Sequence, residues 1–153
     1  MQARLIPYQH DAAMMKAFID FSTAIADNEI EQSLRELVKV RASQLNGCAF
    51  CLHMHTREAL DAGESELRLT MLAAWRESPL YTDRERAALA WADALTTLVQ
   101  HHVSDEVYAE LDRHFSKKEQ VQLTMVIAII NAWNRFGAGF RSVHPVERPR
   151  AAA

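Results

Sequence analysis

The sequence predicts an all-α protein, a single-domain helical bundle of about six to seven helices over residues 1–153. Three observations predict this fold class. Apolar side chains recur at the spacing of amphipathic helices, and no segment shows sustained alternation of apolar and polar residues. Only four glycines and four prolines occur, and so few helix breakers favour long helices. The length of 153 residues suits one domain with its own core.

The first predicted helix runs from Asp11 to Ala26. Its apolar side chains have the i, i+4, i+7 spacing that places them on one face of a helix. They are Met14, Phe18, Phe21 and Ile25. We therefore expect this stripe to pack against the rest of the bundle.

The next two helices are predicted on either side of Asn46-Gly47. Ser33 is the predicted N-cap of the second helix, whose apolar residues are Leu34, Leu37, Val40 and Leu45. Asn46 and Gly47 both tolerate the left-handed backbone with which many helices end. A third helix then runs from about Cys48 to Ala62, before Gly63. If the two helices fold back on each other, the cysteines lie at the start of a helix in an antiparallel hairpin.

Three further helices are predicted after the hairpin. A short fourth helix contains Leu67, Met71, Leu72 and Trp75 and ends before Ser78-Pro79. Thr82 and Glu85 form a capping box that opens the fifth helix. Its apolar residues are Leu89, Trp91, Leu95 and Leu98. Ser104 starts the sixth helix, which contains Val107, Tyr108 and Leu111.

The last predicted helix follows a second capping box, formed by Ser116 and Glu119. The segment from Glu119 to Phe136 is apolar on nearly every face. Such a helix is buried, either at the centre of the domain or in a subunit interface, and we expect a homo-oligomer. Residues 141–153 are expected to form a flexible tail.

The distribution of charge argues against two classes of partner. The formal net charge is -3 at pH 7 and the charges are interspersed, so no basic stripe is available for nucleic acid. The longest apolar stretch, residues 121–133, is interrupted by polar side chains and is too short to span a membrane. The first residues contain no uninterrupted apolar segment of a secretory signal. We therefore expect a cytoplasmic protein with no nucleic-acid or membrane partner.

The chain has two cysteines, Cys48 and Cys51, and several kinds of site could use them. A structural zinc site needs four ligands, but only His53 or His55 is close, and nothing in the sequence brings His101-His102 near. Covalent haem attachment requires a histidine directly after the second cysteine, where this chain has leucine. A thioredoxin-like motif requires a βαβ unit. Two inert buried cysteines remain possible, although in a reducing compartment a close pair is more often catalytic or metal-binding.

Helical geometry favours a reactive pair. Residues 48, 51 and 55 have i, i+3, i+7 spacing and therefore share one helix face. His55 is the i+4 neighbour of Cys51, so its imidazole can accept the thiol proton or stabilise a thiolate. Cys48 lies near the helix start, where free N–H groups and the macrodipole also favour a thiolate. His53 points away from this face and is expected to be a surface or packing residue.

Glu36 becomes a candidate through the predicted hairpin. It lies eleven residues before Gly47, and His55 lies eight residues after it. At about 1.5 Å per residue, their levels along an antiparallel hairpin differ by only about 4.5 Å. The hairpin would therefore place the Glu36 carboxylate beside the thiols and His55.

Glu36, Cys48, Cys51 and His55 form the pattern E-x11-C-x2-C-x3-H in an all-α chain. This pattern resembles the signature of the alkylhydroperoxidase D (AhpD)-like family, within the carboxymuconolactone decarboxylase-like superfamily. The close match covers residues 34–62, and looser likeness continues through the segments YTDRERAALAWADALT and VIAIINAWNRFG. The four-residue signature is fairly specific, whereas the spacing of the cysteines alone would not be.

The resemblance implies an all-helical fold that assembles into dimers, trimers or hexamers and reduces organic hydroperoxides with its cysteine pair. It implies that Cys51 attacks the peroxide and becomes a sulfenic acid, and that Cys48 resolves it as a disulfide. Glu36 and His55 would move protons. A dithiol partner, thioredoxin-like or lipoyl-bearing, would reduce the disulfide. No cofactor and no bound metal are expected.

Two features of this sequence bear on that expectation. Some family members carry a histidine between the cysteines, where this chain has Phe50, so any proton relay must be shorter and peroxidase activity can be lower. The helix dipole alone favours Cys48 as the more reactive thiol. The adjacent His55 and the resemblance both favour Cys51, and we expect Cys51 to be the attacking residue.

Two other functions remain as alternatives. A carboxymuconolactone decarboxylase-like lyase would need no redox-active cysteine pair, so the two cysteines count against it. A non-enzymatic redox sensor or metal-binding module could use the same fold. The metal content of the purified protein would separate metal binding from thiol chemistry.

Overall fold

The computed structural model describes residues 1–146 and confirms the all-α fold class, with eight α-helices, one short 3₁₀ helix and no strand in these residues. The α-helices are α1 (Pro7–His10), α2 (Ala12–Ala26), α3 (Gln32–Asn46), α4 (Ala49–Asp61), α5 (Glu66–Met71), α6 (Asp83–Thr96), α7 (Asp105–His114) and α8 (Lys117–Gly139). The 3₁₀ helix is Leu72–Ala74. The single-turn α1 was not predicted. Within residues 1–146 none of the helices combines the length and the hydropathy of a membrane span.

The turn at Gly47 makes the predicted hairpin. Gly47 has a φ of 64°, a left-handed conformation that glycine adopts without a steric penalty. The Cys48 N–H then donates to the Ser43 carbonyl over 3.1 Å, which closes the end of α3. Helix α4 folds back against α3, so the cysteine pair lies at the start of the second helix of the hairpin, as the sequence predicted.

The predicted capping residues are confirmed at three of four helices. Thr82 with Glu85 and Ser116 with Glu119 form complete capping boxes, and the Ser104 hydroxyl accepts the Val107 N–H. The prediction that Ser33 caps α3 is wrong. Helix α3 begins at Gln32 with Glu31 at the N-cap position and no side-chain cap.

Glu31 explains where α3 begins. Both of its carboxylate oxygens accept hydrogen bonds from Arg84 on α6, at 3.1 Å each. This ion pair fixes the entry to α3 before Ser33 is reached, so Ser33 falls inside the first turn. The start of α3 therefore coincides with a contact to α6 and not with a local cap at Ser33.

Helix α2 is rotated relative to the predicted stripe. Its inward face consists of Met15, Phe18, Ser22 and Ile25. Met14 and Phe21, predicted to be part of the packed stripe, are exposed. The rotation is fixed by Trp133, whose Nε1 donates to the Ser22 hydroxyl over 2.9 Å and whose ring lies 4.3 Å from that of Phe18. The polar Ser22 therefore lies on the inward face of α2, where the hydrophobic pattern predicts Phe21.

Helix α8 lies at the centre of the bundle and contacts α2, α3, α4, α6 and α7. Its buried apolar residues include Leu123, Val126, Ile127 and Ile130. Of the two places predicted for this apolar helix, the centre of the domain is the one observed. Its final turns run beside the hairpin of α3 and α4, and this packing builds the candidate site.

The chain after α8 turns back across the end of the bundle. The Ser142 N–H donates to the Gly137 carbonyl over 2.9 Å, and the His144 ring stacks on His53 at 4.9 Å. The predicted flexible tail covers residues 141–153, of which 147–153 lie outside the described residues.

Candidate active site

Cys48 and Cys51 are free thiols at the start of α4 and are both deeply buried, with 1% and 3% of their surface exposed. Cys48 is the N-cap residue of α4. Its sulfur accepts the backbone N–H of Cys51 over 3.4 Å, in the place where a capping oxygen usually lies. A thiolate at this position is stabilised by the N-terminal end of the helix.

The two thiols have opposite pKa shifts. A hydrogen bond from the Cys51 side chain is the largest cause that lowers the pKa of Cys48 to about 6, despite the opposing effect of burial. The same hydrogen bond, together with burial, raises the pKa of Cys51. The hydrogen bond between the two sulfurs therefore favours a negative charge on Cys48 and a proton on Cys51. This agrees with the prediction from the helix dipole alone, which favours Cys48 over Cys51 as the more reactive thiol.

The hairpin brings Glu36 to His55, as the sequence predicted. His55 Nδ1 lies 3.2 Å from Glu36 Oε2 and 2.8 Å from Glu58 Oε2. Lys39 Nζ lies 2.8 Å from the other oxygen of Glu36. We call these four residues, Glu36, Lys39, His55 and Glu58, the cavity cluster. It contains two acids and two bases, all from α3 and α4.

Burial and pairing compete within the cavity cluster. Burial lowers the pKa of His55, but hydrogen bonds to Glu36 and Glu58 outweigh it, so the pKa is raised. For Glu36, burial raises the pKa, and hydrogen bonds from His55 and Lys39 more than compensate, so the pKa is lowered. An ionised Glu36 beside a protonated His55 is therefore favoured. A protonated imidazole is suited to give a proton to a leaving oxygen.

A cavity of about 460 Å³ gives access to Cys51 and His55. Its walls are mostly apolar and include Ile19, Phe50, Met54, Ile130, Trp133 and Phe136. Cys51 is a lining residue of this cavity, and Cys48 is not. The thiol with the lower pKa therefore lies behind the thiol that a small molecule in the cavity would meet.

Helix α8 contributes two residues that the sequence did not single out. A Cβ atom placed on Gly137 would lie 2.5 Å from Cys48 Sγ and 3.1 Å from Cys51 Sγ, so both sulfurs pack against its backbone. Asn134, one turn earlier, is buried, and its amide lowers the pKa of both thiols. No local pattern marks these residues, because only the packing of α8 on α4 brings them to the sulfurs.

Lys39 and Glu58 were also not identified from the sequence, although their spacing from Glu36 and His55 could have pointed to them. Lys39 is the i+3 neighbour of Glu36, and Glu58 is the i+3 neighbour of His55, so each pair shares a helix face. The other histidines lie elsewhere. His53 packs against His144, in agreement with its predicted packing role, and the His101-His102 pair is exposed.

Three residues of the cavity cluster could in principle bind a cation. Ligand atoms of Glu36, His55 and Glu58 lie within 4.8 Å of one another. However, Lys39 already neutralises Glu36, and His55 binds both carboxylates. The charges of the cluster are thus balanced by its own side chains.

Comparisons with known proteins agree with this architecture. Residues 12–94 match the model of the carboxymuconolactone decarboxylase family. The uncharacterized protein YdfG of Bacillus subtilis is 38% identical over 135 residues, which are 88% of this chain and 92% of that protein.

Solved structures of similar fold include two that are informative here. A protein of unknown function from Agrobacterium tumefaciens, described as a candidate antioxidant defence protein AhpD, matches with a TM-score of 0.93 and 40% identity. The match covers 95% of this chain and all of that one. The debrominase Bmp8 matches with a TM-score of 0.81 and 25% identity, over 90% of this chain and 74% of that one. Its cysteine-to-alanine variant has been solved with 2,3,4-tribromopyrrole.

Proposed function

The chain belongs to the carboxymuconolactone decarboxylase family and has the AhpD-like fold, and on this premise we propose that it is a thiol-dependent peroxidase. It would reduce organic hydroperoxides through a dithiol–disulfide cycle of Cys48 and Cys51. The observation that carries this proposal is a pair of buried thiols at an apolar cavity, with His55 in the cavity wall beside Cys51. A thiol pair supplies the two electrons that cleavage of an O–O bond consumes.

The proposed reaction begins with a proton transfer between the two sulfurs. Cys51 gives its proton to the Cys48 thiolate along their hydrogen bond, and the resulting Cys51 thiolate attacks the outer oxygen of the hydroperoxide. The O–O bond breaks, Cys51 becomes a sulfenic acid, and the alkoxide takes a proton from His55. Glu36 and Glu58 hold that imidazole in place and stabilise its protonated form.

The second half of the cycle forms the disulfide. Cys48 returns to a thiolate by losing its proton, and its sulfur attacks the sulfur of the Cys51 sulfenic acid. The hydroxyl group leaves and takes up a proton as water. The products of one turnover are the alcohol, water and an intramolecular disulfide.

Reduction of the disulfide requires a slender dithiol. Because Cys51 is 3% exposed and opens only onto the cavity, the flat surface around a thioredoxin-like cysteine would have difficulty reaching it. A lipoyl arm or a small dithiol could enter the cavity instead. Of the two reductant classes predicted, we therefore favour the lipoyl-bearing one.

A homo-oligomer remains part of the proposal. Besides Met1, five large apolar side chains of the N-terminal segment, α1 and α2 are exposed: Ile6, Tyr8, Met14, Ile19 and Phe21. Three of them, Ile6, Tyr8 and Ile19, also line the cavity. Light scattering should give a mass above the 17.4 kDa of one chain, and a clean monomer would contradict this part of the proposal.

The function is tested by peroxide consumption. Reduced protein should consume cumene or t-butyl hydroperoxide with dihydrolipoamide as reductant, and mass spectrometry should show loss of two hydrogen atoms per monomer. Thioredoxin with its reductase provides the comparison for the reductant. A protein that forms the disulfide with no peroxide turnover under any dithiol would instead be a redox sensor.

Reductive dehalogenation is a second candidate. It is favoured by the aromatic side chains Phe50, Trp133 and Phe136, which line the same cavity as Cys51, and by the likeness to Bmp8. In such a reaction an aryl bromide takes two electrons and a proton from the dithiol, and the products are the arene, bromide, a proton and the disulfide. Release of bromide from a tribromopyrrole, with no consumption of hydroperoxide, would favour this candidate.

A further inference from the structure

The two sulfurs rest against a short segment of α8. At Gly137 a Cβ atom would lie 2.5 Å from Cys48 Sγ, a distance at which the sulfur would have to move. At Gly139, two residues further along the same helix, a Cβ atom would meet nothing within 4 Å. A side chain at position 137 would therefore collide with the sulfurs, whereas a Cβ atom at position 139 would contact no neighbouring atom.

The amide of Asn134 lies one turn before Gly137 and has a fixed orientation. Asn134 is only 1% exposed, and its Oδ1 accepts a hydrogen bond from Asn46 Nδ2 over 2.9 Å. Its Nδ2 donates to the Ser43 hydroxyl over 3.1 Å. Asn46 Nδ2 also donates to the Ala42 carbonyl, so it is a donor, and the Asn134 atom that it contacts is the oxygen. The Asn134 nitrogen is therefore the atom that faces Ser43.

An amide nitrogen carries two hydrogens, and Ser43 takes only one of them. The second hydrogen needs an acceptor, because a buried donor without a partner is costly. Asn134 and Gly137 are i, i+3 neighbours and share one face of α8, so the Asn134 amide lies on the side of the helix where Gly137 meets the sulfurs.

We propose that Asn134 is the donor that holds the Cys48 thiolate, with Gly137 providing the space in which both sulfurs lie. This inference builds on the proposed dithiol cycle but does not depend on which substrate oxidises the pair. The downward effect of the Asn134 amide on the pKa of both thiols agrees with it.

The Asn134 donor should matter most when Cys51 carries no thiol hydrogen, as in a mixed disulfide. In the resting site that hydrogen is the largest stabilising contact of the Cys48 thiolate. When a reductant thiolate attacks the disulfide at Cys51, the S–S bond breaks, a mixed disulfide forms on Cys51, and Cys48 leaves as a thiolate. At that moment the thiolate keeps the Cys51 backbone N–H as a donor, and the proposed bond from the Asn134 amide is its second.

The test measures thiolate chemistry without peroxide. Asn134→Leu removes the donor, so the pKa of Cys48, followed by ultraviolet thiolate absorbance, should rise by about one to two units, as for loss of a hydrogen bond to a charge. At pH 7 the dithiol–disulfide equilibrium should shift up to about tenfold towards the disulfide, a potential about 30 mV more negative.

Matched variants keep the test informative if the leucine variant does not fold. Asn134→Asp retains the shape and the bond from Asn46, yet lacks the donor, and should raise the pKa at least as much. Asn131→Leu and Asn131→Asp are the controls, since Asn131 shares the hydrogen-bond network through Asn46 but donates to Thr96 and the Ile127 carbonyl. The controls should shift the pKa by much less.

Gly137 is tested against Gly139. Gly137→Ala should displace Cys48 Sγ and raise the Cys48 pKa, whereas Gly139→Ala should leave the titration unchanged. An unchanged Cys48 pKa in a folded Asn134 variant, or an equal shift in the Asn131 controls, would overturn the inference. Failure of the wild-type protein to consume peroxide would overturn the proposed function and leave these titrations standing.

Discussion

Helix α3 carries two buried ionic clusters that begin five residues apart and differ in their surroundings. The first is the cavity cluster around Glu36. The second, which we call the junction cluster, consists of Arg41, Trp75, Arg76 and Asp93. Glu36 and Asp93 are similarly buried, at 5% and 8% exposed, so burial alone does not distinguish the two.

The junction cluster is closed on itself. Asp93 receives two hydrogen bonds from Arg41, at 2.6 and 3.1 Å, and further ones from Trp75 and Arg76. The bidentate contact and the additional donors satisfy the carboxylate completely. This cluster ties α3 and the segment after the 3₁₀ helix to α6, and it borders no thiol.

The cavity cluster is shared between two helices and opens onto the cavity. His55 and Lys39 are lining residues, Glu58 is half exposed, and Cys51 lies one turn from His55. The comparison teaches that a buried ion pair indicates chemistry when it also faces a cavity and a nucleophile. Where its partners use all the hydrogen-bonding capacity of the carboxylate, its role is to hold helices together.

The largest expected effect concerns the thiols beside the cavity cluster. Cys51→Ser should abolish peroxide consumption, because no other thiol lines the cavity. Cys48→Ser should permit one attack and leave Cys51 as a trapped sulfenic acid. Dimedone labelling after one equivalent of peroxide tests both variants. Label on Cys48 of the Cys51→Ser protein, with none on Cys51 of the other, would reverse the order of attack.

The next-largest effects come from replacing the central acid of each cluster with its amide, which compares the two clusters directly. Glu36→Gln should slow peroxide reduction by about 10²–10⁴-fold, as for loss of an acid–base group. The His55→Ala variant should slow it within the same range. The fold should change little, because His55 can lose its proton and Lys39 is partly exposed.

Asp93→Asn, in contrast, should lower the stability of the fold and leave the reaction rate largely unchanged. It leaves the buried Arg41 without its counter-charge, and the free energy of unfolding should fall by about 3–5 kcal/mol. Denaturant titration measures the loss, and the reaction rate per folded molecule should stay near that of the wild type. Equal effects of the Glu36 and Asp93 substitutions on both quantities would erase the distinction between the clusters.

A third effect is the dependence on pH. The rate of peroxide reduction should rise as the pH passes about 6, where the Cys48 thiol loses its proton. The rate should fall again at higher pH, as His55 loses the proton whose pKa Glu36 and Glu58 raise. Stopped-flow kinetics over this range should therefore give a bell-shaped profile. A rate that is flat between pH 5 and 7 would contradict the assignment of the resting thiolate, since it spans the Cys48 pKa of about 6.

The smallest effect is expected at the exposed edge of the cavity cluster. Glu58→Gln removes one of the two carboxylates on His55, so the pKa of His55 falls and the alkaline limb of the profile moves to lower pH. The shift should be below about one unit, because solvent screens a half-exposed carboxylate. Asp61→Asn, at the exposed end of the same helix, serves as the control and should leave the profile unmoved.

Much of the fold follows from local sequence. The capping boxes at Thr82 and Ser116 and the glycine at position 47 act within one turn of the chain, so the sequence contains all that they need. The spacing of Cys51 and His55 likewise depends on one helix. Glu36 was accessible by counting residues from the hairpin turn, because a helix has a constant rise.

Other features depended on contacts between distant segments. Ser33 has the chemistry of an N-cap, but the ion pair of Glu31 with Arg84 set the start of α3. Phe21 fits the apolar stripe of α2, but the bond from Trp133 to Ser22 rotated the helix. In both cases the observed arrangement goes with a contact between distant segments, which the local sequence does not show.

The sequence by itself determined the helical class, the hairpin and the order of the reactive residues in it. The tertiary structure decided which thiol holds the charge and which faces the cavity, because those properties depend on what packs against the sulfurs. Cys48 lies against Gly137 with the Asn134 amide nearby, and Cys51 faces the aromatic wall. Asn134 of α8 is 86 residues from Cys48 in the chain, so only folding could bring it there. A thiol pKa reflects local burial and hydrogen bonding in three dimensions, and the spacing of residues along one helix cannot supply either.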